Sequence, residues 1–373
     1  MSLSASERAR YQRHLALAEI GTAGQERLKA ARVLIVGAGG LGSPAALYLA
    51  AAGCGTLGLL DFDRVDLSNL QRQVLFDSAA IANPKADAGR ERLVALNSEI
   101  RVNAHNVELK AANVRAMLAG YDVVVDGTDR LSTRYLVNDA CVLYGKALVS
   151  AAIHRFEGQL MTYVPNQGPC YRCLFPQGRD GLVANCAAAG VLGVLPGVLG
   201  TLQATEAIKL ITGVGEPLTG RLLTYDALEM RFQEFRVSRR RDCAVCGDAP
   251  SITEPRDEEP AGATAAPGGV RRLSASELRS LLQTGTALLV DVREPYEFNA
   301  GHLAGSRHIP LGELPRRLAE IPKSAAPVFI CRSGGRSLAA CSMALEAGIA
   351  SPANLEGGLQ AWAREVDPTL DVA

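Results

Sequence analysis

The sequence predicts an α/β protein in two unequal parts: a doubly wound parallel sheet with an added antiparallel portion, followed by a smaller α/β domain. Three observations predict it. Apolar, β-branched runs alternate with helical patterns along the first part of the chain. A glycine-rich turn joins the first of these runs to the helix behind it. Residues 248–269, DAPSITEPRDEEPAGATAAPGG, almost lack large apolar side chains and read as a semi-extended, mobile linker between a body at 1–247 and a unit at 270–373.

In order, ARVLIVGAGG, TLGLLDFD and YDVVVDGTD read as buried parallel strands, with crossover helices at Ala45–Ala52 and Ala86–Leu96. After Val149 the pattern changes, and GQLMTYV and RLLTYDA read as the antiparallel addition. The longest apolar run, Ala187–Leu202, carries Pro196 and several glycines, falls short of a bilayer span and reads as a buried helix with its approach loop. Beyond the linker, ALLVDVRE and APVFIC read as strands, with helices at Arg336–Ala347 and Leu359–Glu365. The sequence has no internal repeat.

A chain of 373 residues holds two or three domains. Its 48% hydrophobic and 21% charged residues suit a globular protein. Lys+Arg and Asp+Glu both number 39, so no net field favours nucleic acid or an anionic membrane, and direct binding of either is not expected. The N-terminal MSLSASERARYQRHL is too charged for a secretory signal, and nine cysteines without one predict a reducing cytoplasm.

Four of those cysteines form two C-x-x-C pairs, Cys170/Cys173 and Cys243/Cys246. Each pair sets two thiolates on one side of a tight turn, and two such turns make a closed tetrahedral cage for zinc. A closed cage keeps no open coordination position, so this zinc is expected to brace the fold. Cys54, Cys141 and Cys341 lie in apolar helical stretches and read as core.

The first strand runs into Gly37-Ala38-Gly39-Gly40-Leu41-Gly42, where the backbone can approach a phosphate at a helix N-terminus. Asp61 ends the next strand, placed for ribose hydroxyls. This much also fits NAD or FAD. The loop after it, Ser68-Asn69-Leu70-Gln71-Arg72-Gln73, then brings an arginine and amides, Lys85 follows, and Asp129 is read as ending a third strand before Arg130 and Arg134. Two cations and a carboxylate suit a triphosphate with magnesium better than a nicotinamide. Read singly, Arg72 and Lys85 would be solvated surface charges.

In the C-terminal unit, Cys331-Arg332-Ser333-Gly334-Gly335-Arg336 follows an apolar strand and precedes a helix. Its amides, the helix dipole and two guanidinium groups favour a sulfur anion, thiolate or persulfide. His302 and His308 read as framework, and His14 and His154 show no partner in the sequence.

Six ordered motifs over residues 7–247, GAGGLGSPAALYLAAAG, LLDFDRVDLSNLQRQ, NPKAD, the DGTD stretch, PCYRC and CAVCG, resemble the MoeB/ThiF adenylyltransferases, relatives of ubiquitin-activating enzymes. The resemblance implies a Rossmann-like domain that adenylates the C-terminal glycine of a ubiquitin-like sulfur carrier. By motif position it implies ATP contacts from Gly40, Asp61, Asn69, Arg72 and Lys85, magnesium held by Asp129, and a homodimer in which Arg13 reaches the partner's site. The family usually has Asp-Asn where this chain has Asp129-Arg130. Cys186, in ANCAAAGVLG, matches a position that is a thioester or acyl-disulfide partner in some members and dispensable in others.

VDVREPYEFNAGHLAGSRHIP and the Cys331 loop, within residues 270–365, resemble the rhodanese domain. Related dual-specificity phosphatases place one more residue between Cys and Arg; the shorter cradle here favours sulfur over phosphate. Together the two resemblances point to MoeB–rhodanese fusions, the molybdopterin-synthase sulfurylases among them. They imply that Cys331 takes sulfur from thiosulfate or a persulfide-bearing desulfurase and passes it to a carrier ending in Gly-Gly. The carrier's pathway stays open among molybdopterin, thiolated tRNA, thiamine, cysteine and siderophore-type routes. A nicotinamide oxidoreductase and a non-catalytic carrier-binding scaffold are the alternative readings. Arg72 and Lys85 argue against the first, and the intact Gly, Asp, Arg, Lys and Asp set, Asp129 included, against the second.

Overall fold

A computed structural model describes residues 2–176, 190–257, 270–285, 287–323 and 325–372. The chain divides into two compact units, Met1–Glu258 and Glu259–Ala373.

In the first unit, helices α1 (Ala5–Arg10), α2 (Gln12–Leu15) and α3 (Gly21–Ala30) precede the sheet. The winding then runs β1 (Arg32–Val36), α4 (Gly42–Ala51), β2 (Thr56–Leu60), α5 (Lys85–Leu96), β3 (Arg101–His105), α6 (Ala111–Ala119), β4 (Val123–Asp126), α7 (Leu131–Leu143) and β5 (Ala147–His154). After β6 (Glu157–Tyr163) come α8 (Tyr171–Leu174), α9 (Val194–Thr212), β7 (Arg221–Asp226) and β8 (Arg231–Arg236). The sheet order is β3-β2-β1-β4-β5-β6-β7-β8. It is parallel as far as β5 and antiparallel from there on.

The central strands β1, β2 and β4 are buried almost end to end because helices cover both faces. One core layer joins Leu49 of α4, Leu93 of α5 and Leu199 of α9 to Ile35 and Leu59. The other joins Leu118 of α6 and Val137 of α7 to Leu34 and Val124. Val36 lies opposite both Leu60 and Asp126, so the carboxyl ends of β1, β2 and β4 come level and open a crevice beyond them.

Two expectations need correction here. Cys54 is core, but it sits in the bend between α4 and β2 and not in a helix. The body also runs past Gly247: Ile252 is buried in the second core layer, its amide donates to the Ala244 carbonyl (2.8 Å), and Asp257 accepts from the Ala111 amide (2.8 Å). One isoleucine in a polar, proline-rich stretch is enough to hold the backbone down. The apolar run forms α9 from Val194 onward, and no helix among the described residues is long and apolar enough to cross a membrane.

The second unit is a parallel five-stranded sheet, order β11-β10-β12-β13-β9. In chain order it comprises β9 (Arg271–Leu273), α10 (Ala275–Gln283), β10 (Leu288–Asp291), α11 (Pro295–Ala300), β11 (Arg307–His308), α12 (Leu314–Arg317), β12 (Pro327–Ile330), α13 (Gly335–Glu346), β13 (Ala353–Leu355) and α14 (Gly358–Glu365). Ser274 caps α10 in a reciprocal capping box with Glu277. Cores on both faces of the sheet bury Trp362 on one side and Phe329 with Cys331 on the other.

Candidate functional site

The crevice is built around the turn from β1 to α4. Gly37 has φ +88°, and a Cβ on Gly42 would lie 1.9 Å from the Gly37 carbonyl oxygen, so only glycine permits this turn. A Cβ on Gly37 would also come within 3.0 Å of the Gly127 carbonyl, which shows how closely the loop after β4 approaches it. Asp61, directly after β2, locks the turn: its carboxylate accepts from the Ala38 amide (2.8 Å) and the Asp63 amide (2.9 Å). Burial pushes this carboxyl above the usual aspartate value, and the Lys85 charge pulls it part of the way back. Each oxygen takes one backbone donor, which leaves acceptor capacity for hydroxyls.

The loop after β2 folds over the glycines. A Cβ built on Gly40 would stand 3.6 Å from Cδ of Arg72 and 3.2 Å from Pro196 of α9. Arg72 is half-buried and donates to the Ser68 carbonyl (3.1 Å), and the buried Gln73 has an unpartnered side-chain oxygen. Asn69 accepts from the Asp66 amide (3.3 Å). Lys85, the first residue of α5, is only 5% exposed and pairs with Asp63 at 3.3 Å. It is therefore not a solvated surface charge.

Asp129 does not end a strand. β4 ends at Asp126, and Asp129 is exposed in the loop beyond. Alternation of apolar residues places YDVVVD correctly, but two aspartates three apart leave the last paired residue ambiguous. Asp126 is a structural carboxylate that the sequence reading missed. It is fully buried and accepts from Thr128 (backbone 3.0 Å, hydroxyl 2.6 Å), Arg134 (3.1 Å) and Ser150 (2.8 Å). Arg134 also donates to the Thr128 carbonyl (2.7 Å), so the residue before Asp129 is clamped at both ends. Arg130 leaves for the surface, pairing with Glu108 and lying over the Phe62 ring. Arg13 is exposed on α2 and has no hydrogen bond or ion pair among the described residues of its own chain. His14 on the same helix does have a partner, Gln25, at 3.0 Å.

Beside the crevice, the face of β5–β8 and α7–α8 enclose an open cavity of about 1010 Å³, walled by Tyr135, Tyr171, Phe175 and Phe235, with Arg134 and His154 among its polar lining. Cys186 lies outside the described residues.

The four cysteines of the C-x-x-C pairs converge. Their sulfurs all lie within 4.8 Å of one another, with Cys170–Cys243 at 3.6 Å and Cys173–Cys246 at 3.4 Å. Zinc–sulfur bonds of about 2.3 Å in a tetrahedron require sulfurs about 3.8 Å apart, so the cluster fits a zinc ion. The knuckles are held from outside: Arg172 grips Asp139 of α7 through two 2.7 Å bonds, and the Arg240 amide points at the Cys173 sulfur (3.4 Å). A Cβ on Gly247 would strike the Cys243 carbonyl at 2.3 Å, so the second knuckle needs glycine there.

In the second unit Cys331 follows β12, buried to 1% exposure. Its sulfur accepts from the amides of Gly334 (3.1 Å) and Ser337 (3.4 Å), with the Ser337 hydroxyl at 3.2 Å. Gly334 has φ +94°, which turns its amide inward. A second helix start buttresses the loop: Leu359 and Gln360 of α14 donate to the carbonyls of Cys331 (2.8 Å) and Arg332 (3.0 Å). Arg336 is gripped by Glu297 of α11 at 2.6 Å through both nitrogens and also interacts electrostatically with Cys331. Asp291 and Arg293 form a wholly buried pair, so these motif residues are framework. Burial pushes the Cys341 thiol up to about 12, in keeping with an inert core cysteine.

The sequence matches the model of the ThiF family over residues 11–245 and that of the rhodanese-like domain over residues 274–365. It is 44% identical to the probable adenylyltransferase/sulfurtransferase MoeZ of Mycobacterium tuberculosis, over 99% of this chain and 96% of that protein. It is 42% identical to the adenylyltransferase and sulfurtransferase MOCS3 of Aedes aegypti, over 99% of this chain and 90% of that one. Among solved structures, E. coli MccB with ATP superimposes with a TM-score of 0.56 at 26% identity, covering 65% of this chain and 75% of that one.

Proposed function

Because the chain belongs to the ThiF family and carries a rhodanese-like domain, we propose that it is an adenylyltransferase and sulfurtransferase that converts the C-terminal glycine of a ubiquitin-like sulfur carrier into a thiocarboxylate. The observation that carries the reading is the joint presence, in one chain, of a glycine turn with Asp61, Arg72 and Lys85 beside it and a cysteine whose sulfur is cradled by amides. A nicotinamide site has no use for a buried lysine facing the turn, and a scaffold has no use for the cradled sulfur.

In the first step the carrier's carboxylate attacks the α-phosphorus of ATP and pyrophosphate leaves. The nucleophile is already ionised, so no general base is required; the barrier is the approach of two anions. Arg72 and Lys85 neutralise the triphosphate, Gly40 lets the backbone close on it, Asn69 and Asp61 hold the nucleoside, and Arg13 of a partner subunit adds a further cation. Asp129, exposed at the crevice on a clamped loop, suits a magnesium ligand; the bound ion would supply charge neutralisation at the phosphates. The cavity against β5–β8 offers the carrier an apolar surface beside this loop. The four-cysteine cluster braces the antiparallel half with zinc.

In the second step the outer sulfur of a Cys331 persulfide, taken from thiosulfate or a persulfide-bearing enzyme, attacks the acyl-adenylate. AMP leaves, and an acyl disulfide joins carrier to Cys331. A thiol then attacks the Cys331 sulfur, releasing the thiocarboxylate and leaving a disulfide with that thiol; Cys186 is our candidate, and an external thiol can replace it. The test is carrier-dependent ATP–pyrophosphate exchange. Arg72→Ala should abolish exchange with the fold intact, and wild-type exchange in that variant would sink the reading of the crevice.

A further inference from the structure

Lys85 is the most deeply placed cation of the crevice, and a buried ammonium needs an anionic partner before any nucleotide arrives. The structure assigns that task to Asp63, two residues beyond the aspartate that locks the glycine turn. We propose that Asp63 is a positioning residue for adenylation, holding the Lys85 ammonium in the attitude that meets the triphosphate; the proposal rests on the ATP reading above.

Three observations carry it. First, the carboxylate–ammonium contact is 3.3 Å, with the lysine side chain 7% exposed and the aspartate 51%. The aspartate stays half exposed to water, which screens its charge from an incoming anion, whereas the lysine depends on the contact.

Second, the pair is set up by a clasp made of main chain. The Lys85 amide donates to the Asp63 carbonyl (2.9 Å), the Val65 amide to Asn83 (2.9 Å) and the Ala82 amide to Val65 (2.9 Å), while the Arg64 guanidinium donates to the Ala82 carbonyl (2.7 Å). The start of α5 therefore stays beside the loop after β2 whatever the side chain at position 63. The carboxylate adds only the aim of the ammonium.

Third, Asp63 is wired to the turn itself. Its amide donates to Asp61, whose other oxygen accepts from Ala38. One short segment thus fixes the phosphate turn, the ribose carboxylate and the lysine together, with Lys85 acting electrostatically on Asp61 as well. Such advance placement raises affinity by removing the need to order the lysine on binding.

The test compares Asp63→Asn, Asp63→Glu, Lys85→Ala and the Asp63→Asn/Lys85→Ala double variant in the full-length protein, by carrier-dependent pyrophosphate exchange across ATP concentrations and by melting temperature. Asp63→Asn should stay folded, because the clasp is intact, with only a modest drop in melting temperature, yet raise the KM for ATP about tenfold with a smaller change in kcat. Asp63→Glu should restore part of the loss. In the double variant the Asn substitution should add nothing to Lys85→Ala, because the aspartate works through the lysine. A wild-type KM in Asp63→Asn, or additive losses in the double variant, overturns the proposal while Lys85→Ala still reports on the ATP site. Full exchange in Lys85→Ala would overturn the ATP reading and this proposal with it.

Discussion

Glu297 and Arg336 are joined fork to fork, 2.6 Å at each nitrogen–oxygen contact, with 4% and 14% of their side chains exposed. The pair ties the start of α11 to the end of the sulfur loop and largely neutralises one of the two arginines the loop sequence offers. Arg336 still interacts electrostatically with Cys331, while the direct hydrogen bonds to the sulfur come from the Gly334 and Ser337 amides.

The pair makes the second unit acid-sensitive. Burial alone would raise the Glu297 carboxyl, but hydrogen bonds from Arg336 and the Glu294 amide and the charge of Arg336 outweigh it and hold the group below its ordinary 4.5. A lowered carboxylate contributes stability that is present above 4.5 and is lost as pH falls through the depressed value. The melting transition of the second unit should therefore drop on acidification below about pH 4.5 in the wild type. In Glu297→Gln it should already be lower at pH 7, by about 3–5 kcal/mol for a broken buried pair, and flatter in that acid window. Equal slopes in the two proteins would show that the pair is not the titrating element.

Zinc should be stoichiometric with chain. Cys170→Ser or Cys243→Ser should lose the metal and lower the melting temperature of the first unit, since the cluster links α8 to the segment after β8. Each kcal/mol lost is worth about 2–4 °C in a unit of this size. Full metal content in both variants, measured by elemental analysis, would rule the cluster out as the cage.

Much of this was legible in sequence because the signals were local and periodic. Arg32–Val36, Thr56–Leu60 and Val123–Asp126 are β-branched or apolar runs bounded by Gly or Asp, and the C-x-x-C spacing fixes a knuckle without reference to the rest of the chain. What escaped was pairing across sequence. Nothing within YDVVVDGTD tells that Asp126 is the buried acceptor and Asp129 the free one, because Arg134 and Ser150 decide it from other elements. Likewise Arg336 looks unpaired until Glu297, 39 residues away, is seen to hold it.

Arg13 offers a test of assembly. It is exposed and unengaged among the described residues of its own chain, as a side chain destined for another subunit would be. Arg13→Ala and Asp129→Ala chains should each be inactive in exchange. Mixed after subunit exchange, they should regain up to about a quarter of wild-type activity, since statistically half the dimers are hybrids and each hybrid holds one whole site. No recovery, once exchange of subunits is demonstrated, would place Arg13 outside the shared site.

Cys331→Ala separates the two activities. The cysteine belongs to a unit with its own sheet and its own cores, and among the described residues the hydrogen bonds to its sulfur come from that unit. Carrier-dependent pyrophosphate exchange should therefore match the wild type, while thiosulfate sulfurtransferase activity disappears. Thiocarboxylate formation from thiosulfate or a persulfide donor should disappear with it. Cys186→Ala should be milder, because an added thiol can cleave the acyl disulfide in its place. The deciding measurement is the mass of the carrier after reaction, which rises by the difference between sulfur and oxygen when a carboxylate becomes a thiocarboxylate. If the Cys331→Ala protein still produced that mass from thiosulfate with no free sulfide present, sulfur would not travel through Cys331 and the second step would be wrong.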